Sequence, residues 1–348
     1  MTISIETVAS IEKLFSDFAK AHILSLPGLG EQALFPEDLW EQMGQTHLLN
    51  PDLFTDPALE GNSCLAITRA GRALVDGGGN LGMALSWMVH HLVAQYLLFP
   101  PGASDGKKKL GPLFSAMSSG AATVCFAVSE PKAGAHPKHM TATAKKTNTG
   151  YLLNGEKTYL TNGPISQAFI VIAVTGVQGE KKQFSAFLVP KKTKGLRILP
   201  PMEIPFFKPC PHGSICLEDC QVPDDALLGR LGHAHRNMVL FFRKVEDAAM
   251  TGPVTGAMGF LLAALAREMA NREKPGEQVL EQLGGLVALL KTADLLSWNA
   301  AMAVDDPCSC LDPGAILLQF KRLVGQYVAE LDALAEKMNL ILPDPSGS

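Results

Sequence analysis

Four groups of side chains in this sequence are of types that do chemistry. Cys210, His212, Cys216 and Cys220 crowd into eleven positions, a soft-ligand set, but they lack the paired C-x-x-C spacing of structural zinc sites. We read them as reduced thiols and an ordinary histidine. His90 and His91 are adjacent with no third ligand at metal spacing, which suits histidines satisfied in a core or a groove. Lys107-Lys108-Lys109 is a short cationic run. Glu246 is the fourth case. It sits in FFRKVEDAAM, where Phe241, Val245 and Ala249 could bury it. A carboxyl in such a pocket has a raised pKa. The same Glu equally suits a solvated face, or a pair with Arg243 three residues back. Both readings stand at this point.

Three segments of different texture must position these groups. Residues 1–120 read as helical, with apolar residues three and four apart at Val8, Ile11, Leu14, Phe15 and Phe18 and breakers at Pro27-Gly28, Pro51, Pro57 and Gly77-Gly78-Gly79. Residues 121–231 break into short β-favouring runs such as TVCFAVS, YLLNGEKTYLTNG, AFIVIAV and QFSAFLVP. This spacing predicts a small antiparallel barrel or sandwich, with Asn154-Gly155 as a hairpin turn. Residues 232–348 return to the helical period and predict a bundle, its first helix kinked or interrupted at Pro253. The fold class is therefore α+β multidomain: a helical domain, a middle antiparallel β domain and a C-terminal helical bundle.

Composition narrows the partners. The 348 residues are 47% hydrophobic and carry a formal charge of -4, enough for large cores and too little basic charge for a phosphate-binding stripe. Nucleic acid is not an expected partner. The most apolar window, Leu81 to Phe99, holds His90, His91 and Gln95 in its middle, so it reads as a buried helix rather than a membrane span. Seven cysteines and no recognisable leader point to reduced thiols in the cytoplasm.

Two segments in the β region are more specific. CFAVSEPKAGAHPKH, from Cys125 to His139, resembles the first signature of the acyl-CoA dehydrogenase family. LNGEKTYLTNG, from Leu153 to Gly163, resembles the second, LNGxKxWITNG. FPEDLWEQMGQTHLL and SICLEDCQVPDDALLG extend the likeness over roughly residues 30 to 340. The resemblance implies FAD as cofactor, with Phe126, Val128 and Ser129 from the first signature and Tyr159 and Thr161 from the second facing the flavin. Those residue types suit a flat apolar ring with a polar edge: Ser129 and Thr161 offer donors to its pyrimidine oxygens and N5.

The family oxidises acyl-CoA thioesters and passes the electrons to an electron-transfer flavoprotein or a similar acceptor. Its base is a glutamate, placed either late, beside a Gly-Gly-x-Gly-Tyr segment, or earlier in Leu-Asp-x-Glu-Arg. No counterpart of the late segment follows the last helical stretch, whereas sliding Gly256 and Arg272 onto their counterparts puts Glu246 at the early glutamate. Asp247 stands where arginine is usual, Gly134-Ala135-His136 replaces Gly-Ser-Asp, and Arg-x-x-Phe-Gly survives only as Arg272-Glu273-Lys274-Pro275-Gly276. Arg272 is the residue left to meet the cofactor's pyrophosphate. These departures imply one subunit of a hetero-oligomer whose second, longer acyl-CoA dehydrogenase chain completes the site. A non-catalytic partner subunit, or a flavin monooxygenase or oxidase on the same fold, are the alternatives.

Overall fold

The computed structural model describes residues 8–26, 28–32, 34–55, 59, 61–100, 109–270, 276–306, 308 and 310–347. Arg272, Lys107 and Lys108 lie outside the described residues. The N-terminal region contains helices α1 (Val8–Phe18), α2 (Glu37–Gln45), α3 (Ser63–Gly78), α4 (Leu81–Val93) and α5 (Gly111–Ser118). Asn80 starts α4 by accepting a hydrogen bond from the amide of Met83 at 2.8 Å, a side-chain cap for an otherwise orphaned donor. All of α4 is buried, as its apolar composition requires. His90 and His91 are buried core histidines rather than ligands: their Nε2 atoms lie 3.1 Å from the Leu49 carbonyl and 2.8 Å from the Leu48 carbonyl, while both Nδ1 atoms are buried without a hydrogen-bond partner. Gln95 donates to the Pro51 carbonyl.

The middle region forms one eight-stranded sheet: β1 (Val124–Ala127), β2 (Thr143–Thr147), β3 (Gly150–Thr161), β4 (Ala168–Gln178), β5 (Lys181–Pro190), β6 (Leu196–Ile198), β7 (His212–Val222) and β8 (Leu227–Leu228). The strand order is β6-β7-β3-β2-β4-β5-β8, with β1 beside β4. The sheet is mixed rather than antiparallel, because β1 and β2 each run parallel to β4. The short strands and turns disclosed β structure, but strand direction follows from crossovers that periodicity does not report. β4 is central and buried on both faces along Ala168–Ala173, which matches its unbroken apolar run AFIVIA.

A second correction concerns Asn154-Gly155. The pair lies inside β3 at a register irregularity rather than at a turn, and the β2–β3 hairpin closes between Thr147 and Gly150. Gly155 has φ +142, and a Cβ there would meet the Ala142 side chain at 2.6 Å. The glycine serves a bulge and a close approach, and Asn154 bonds across the sheet to Asp219.

The C-terminal helices are α6 (Leu240–Ala249), α7 (Thr251–Ala270), α8 (Glu277–Asp305) and α9 (Pro313–Lys337). The break between α6 and α7 falls at Met250, three residues before Pro253. Proline lacks the amide that would bond back to Ala249, so the helix is interrupted as expected. By length and composition the run His235–Ala270 is apolar enough to cross a membrane, although 67% of its most apolar window is buried in protein. It packs on α3 at close range, since side chains at Gly252 and Gly256 would collide with the backbone carbonyls of Thr68 and Arg72. One hydrophobic core runs from Ile11 and Trp87 through Val124 and Ile170 to Val245 and Val304. It joins both helical regions to one face of the sheet.

Candidate active site

The sheet and α6 meet along a cleft of about 270 Å³. Phe126, Val128, Ser129, Tyr159 and Thr161 line its sheet side; Phe242 and Glu246 line the helical side, with Val89 of α4 closing it. Five predicted cofactor-facing residues and the predicted base therefore share one cleft. Phe126 and Phe242 seal the junction edge to face, with ring centroids 4.9 Å apart, an arrangement favoured by the aromatic quadrupole.

The sheet side is held from behind by a buried ion pair. Lys157 donates from Nζ to the Val128 carbonyl and to Glu130 Oε1, each at 2.9 Å. Glu130 also accepts from the amides of Thr141 and Ala142 at 2.5 and 3.0 Å. Burial alone would raise the Glu130 carboxyl, but Lys157 and these amides outweigh it and hold it below the usual range. The Thr158 amide donates to the Ser129 carbonyl at 2.8 Å, so residues 128–130 and 157–158 form one clamp.

Immediately after the clamp the β3–β7 register slips between Lys157 and Leu160, and Tyr159 adopts φ +56. A bulky residue with positive φ is a strained conformation that persists only where its surroundings impose it. Here the bulge turns the tyrosine out of the sheet, leaving it 62% exposed at the cleft. A large aromatic left mostly exposed at a cleft is a ready plate for a flat ligand.

Glu246 is half-buried opposite that plate. Burial, reinforced by Asp247 and opposed by Arg243, raises its carboxyl to about 7. Arg243 does not pair with it. Arg243 instead points along the rim to Asp247, with Nε 4.0 Å from Oδ2, a weak exposed pair. Phe241, expected to help bury Glu246, is instead 39% exposed and turned edge-on to Tyr96; it is Phe242 that shares the cleft with Glu246. The signal was present in the sequence: Val239, Phe242, Arg243 and Glu246 recur at helical intervals of three and four, and all four line the cleft.

Thr161 completes the wall. Its Oγ1 lies 3.3 Å from His212 Nε2, while His212 Nδ1 lies 3.1 Å from the Cys210 carbonyl. Both His212 nitrogens thus meet oxygens, and among the described residues no three His, Cys, Asp or Glu side chains converge on a metal position. Ala135 lines the cleft where the family signature has serine, so no hydroxyl stands at that point.

The cleft suits an isoalloxazine ring: apolar faces from Phe126, Val128, Leu160 and Phe242, a mostly exposed aromatic at Tyr159, and hydroxyls at Ser129 and Thr161.

Comparison with known proteins agrees with this geometry. Residues 125–220 match the family "Acyl-CoA dehydrogenase, middle domain". The short-chain specific mitochondrial acyl-CoA dehydrogenase of Rattus norvegicus is 27% identical over 311 residues, covering 86% of this chain and 73% of that protein. Among solved structures, PigA with FAD and proline superposes with a TM-score of 0.79 at 22% identity, covering 97% of this chain and 88% of that one. The glutaryl-coenzyme A dehydrogenase glutaryl-CoA complex gives 0.79 at 21% identity, covering 97% and 86%. The two signatures line one cleft between sheet and α6, residues 125–220 match the acyl-CoA dehydrogenase middle domain, and the chain is similar to acyl-CoA dehydrogenases over most of its length.

Proposed function

We propose that this protein is a flavin-dependent dehydrogenase that binds FAD against the Phe126, Val128, Ser129, Tyr159 and Thr161 wall and oxidises the α,β bond of an acyl-CoA thioester. The observation that carries the reading is the placement of Glu246 on the same cleft as all five wall residues, with its carboxyl raised to about 7 by burial. When bound, FAD supplies the hydride acceptor. The chain supplies the rest. Tyr159 and Phe126 offer apolar surface to the ring, Ser129 and Thr161 meet its polar edge, and Phe242 with Val89 excludes water from the Glu246 carboxylate. Glu246 takes the proton from the carbon next to the thioester carbonyl, a task for a base whose pKa lies near the working pH.

Electrons then leave to an electron-transfer flavoprotein or a similar acceptor. The functional unit we propose is a cytoplasmic hetero-oligomer with a second, longer acyl-CoA dehydrogenase chain. Its support is the sequence Arg272-Glu273-Lys274-Pro275-Gly276, which offers Arg272 to the pyrophosphate but lacks the aromatic of Arg-x-x-Phe-Gly. A pyrophosphate taken from water needs several charge-assisted hydrogen bonds, and a partner chain would add them.

The test is the colour and chemistry of the purified protein, alone and co-expressed with candidate partner chains. Bound FAD, bleached by an acyl-CoA in wild type and about 10²- to 10⁴-fold more slowly in Glu246→Gln, is the expected result. Protein that stays colourless with every partner and excess FAD refutes the reading. A homo-oligomer with one FAD per chain that turns over acyl-CoA unaided refutes the partner.

A further inference from the structure

His212 stands directly behind the polar edge of the cleft and takes no part in the reaction proposed above. It opens β7 as the cross-strand partner of Thr161 and is 8% exposed. Both ring nitrogens are engaged, and their partners decide where the hydrogens lie. The Cys210 carbonyl, 3.1 Å from Nδ1, can only accept, so Nδ1 carries the ring hydrogen. Burial holds the imidazole below its ordinary range, opposed only by that carbonyl, so it is neutral near pH 7. In a neutral ring Nε2 is then bare and can only accept. The hydroxyl 3.3 Å away must be the donor. Thr161 therefore turns its hydrogen toward His212 and its lone pairs toward the cleft, the reverse of the donor role its residue type suggests.

We infer that His212 is a positioning residue which locks Thr161 as a hydrogen-bond acceptor toward the bound cofactor and thereby favours the reduced flavin over the oxidised one. The inference rests on FAD occupying the cleft. Reduction adds hydrogen to the flavin ring, so an edge that only accepts gains a donor, and an acceptor facing it binds the reduced ring better. The other groups around His212 are neutral: the Cys210 thiol, pushed up to about 12 by burial, Ser214 two residues along the strand, and Met202, whose backbone bridges to it. The orientation of the Thr161 hydroxyl is thus governed by one side chain.

The experiment is a double-mutant cycle read by the midpoint potential of bound FAD, in the holoenzyme, with any partner chain it requires. His212→Leu releases the Thr161 hydroxyl, and the preference for reduced over oxidised FAD should fall about tenfold, or about 30 mV for a two-electron couple. In the Thr161→Val background the same change should do nothing. His212→Gln, which can place an amide oxygen near the Nε2 position, should restore the wild-type potential. Nitrogen-15 spectra of histidine-labelled protein without flavin should show His212 protonated at Nδ1 and bare at Nε2. An equal shift in both backgrounds means a merely structural role and overturns the inference, as does an Nε2-protonated ring. Wild-type protein that binds no FAD overturns the proposed function and this inference together, whereas FAD binding with an unmoved potential in His212→Leu overturns this inference alone.

Discussion

The Nζ of Lys157 stands 2.9 Å from Glu130 Oε1, with side chains 0% and 4% exposed, and at the same distance from the Val128 carbonyl. This lysine joins the two signature segments and fixes the backbone on which Val128, Ser129 and Tyr159 are carried. Its own pKa is pulled down to about 8 by burial, against the pull of Glu130.

Removing one member of the pair strands the other charge in protein. Lys157→Met should cost on the order of 3–5 kcal/mol in chemical denaturation. Adding Glu130→Gln should recover part of that loss. Flavin retention should stay impaired in the double variant, because the Val128 carbonyl still lacks its donor. A double variant no more stable than Lys157→Met would contradict the ion-pair account.

Glu246 links stability to pH in the opposite sense to a salt-bridged carboxylate. Its folded pKa, about 7, lies above the ordinary value of 4.5. The unfolded chain ionises first, so folding loses stability as pH rises from about 4.5 through about 7. Glu246→Gln should therefore unfold at a higher temperature than wild type at pH 8 and at nearly the same temperature at pH 4.5. The base works only when ionised, so flavin reduction in wild type should rise through pH 7 and level off above it. A melting difference that does not change between those two pH values would show that Glu246 is solvated.

His90 and His91 predict an acid limit. Burial lowers His90 to about 4, and both burial and its neighbour lower His91. Each is neutral when folded and charges readily when unfolded, so stability falls as pH drops below about 6.5 and keeps falling toward 4. Replacing His90 with Gln, which keeps a donor for the Leu49 carbonyl, should flatten this decline in a pH series of thermal melts. An unchanged slope would place the acid sensitivity elsewhere.

The helix, sheet, helix order was legible because texture changes sharply at the sheet, from periods of three and four to runs such as AFIVIAV. The parallel pairing of β1 with β4 was not, since nothing local to VCFA states which strand it joins or in which direction. Residues brought to the cleft by the two signatures could be named from their motifs. Phe242 was missed in favour of Phe241 because one position of helical phase, about 100°, decides which ring lines the cleft with Glu246, and a run of two phenylalanines does not disclose it. The Thr161–His212 contact was hidden for another reason: the partners are 51 positions apart, and nothing local to His212 states which strand residue it will face.

The last prediction concerns how the outer helices are held around the site. Arg69 of α3 is 6% exposed and is a hub: Nε and Nη2 reach Glu12 of α1 at 2.8 and 2.5 Å, and Nη1 reaches Asp294 of α8 at 2.6 Å. The guanidinium also lies 5.4 Å from the centre of the Trp298 ring, close enough for a cation–π attraction. A lysine has one ammonium and no fork, so it cannot serve two carboxylates on different helices from one position. Arg69→Lys should therefore loosen one of the two helices. Arg72 already stands 3.0 Å from Asp294 but reaches Glu12 only at 3.5 Å, so the poorly compensated partner is Glu12 and the loosened helix is α1. Hydrogen exchange should speed up in Val8–Phe18 while Glu277–Asp305 stays protected. Arg69→Met should add a global loss on the order of 3 kcal/mol, because both carboxylates then lose their central partner. Faster exchange in α8 with α1 unchanged would show that Arg72 does not share the load as the distances indicate.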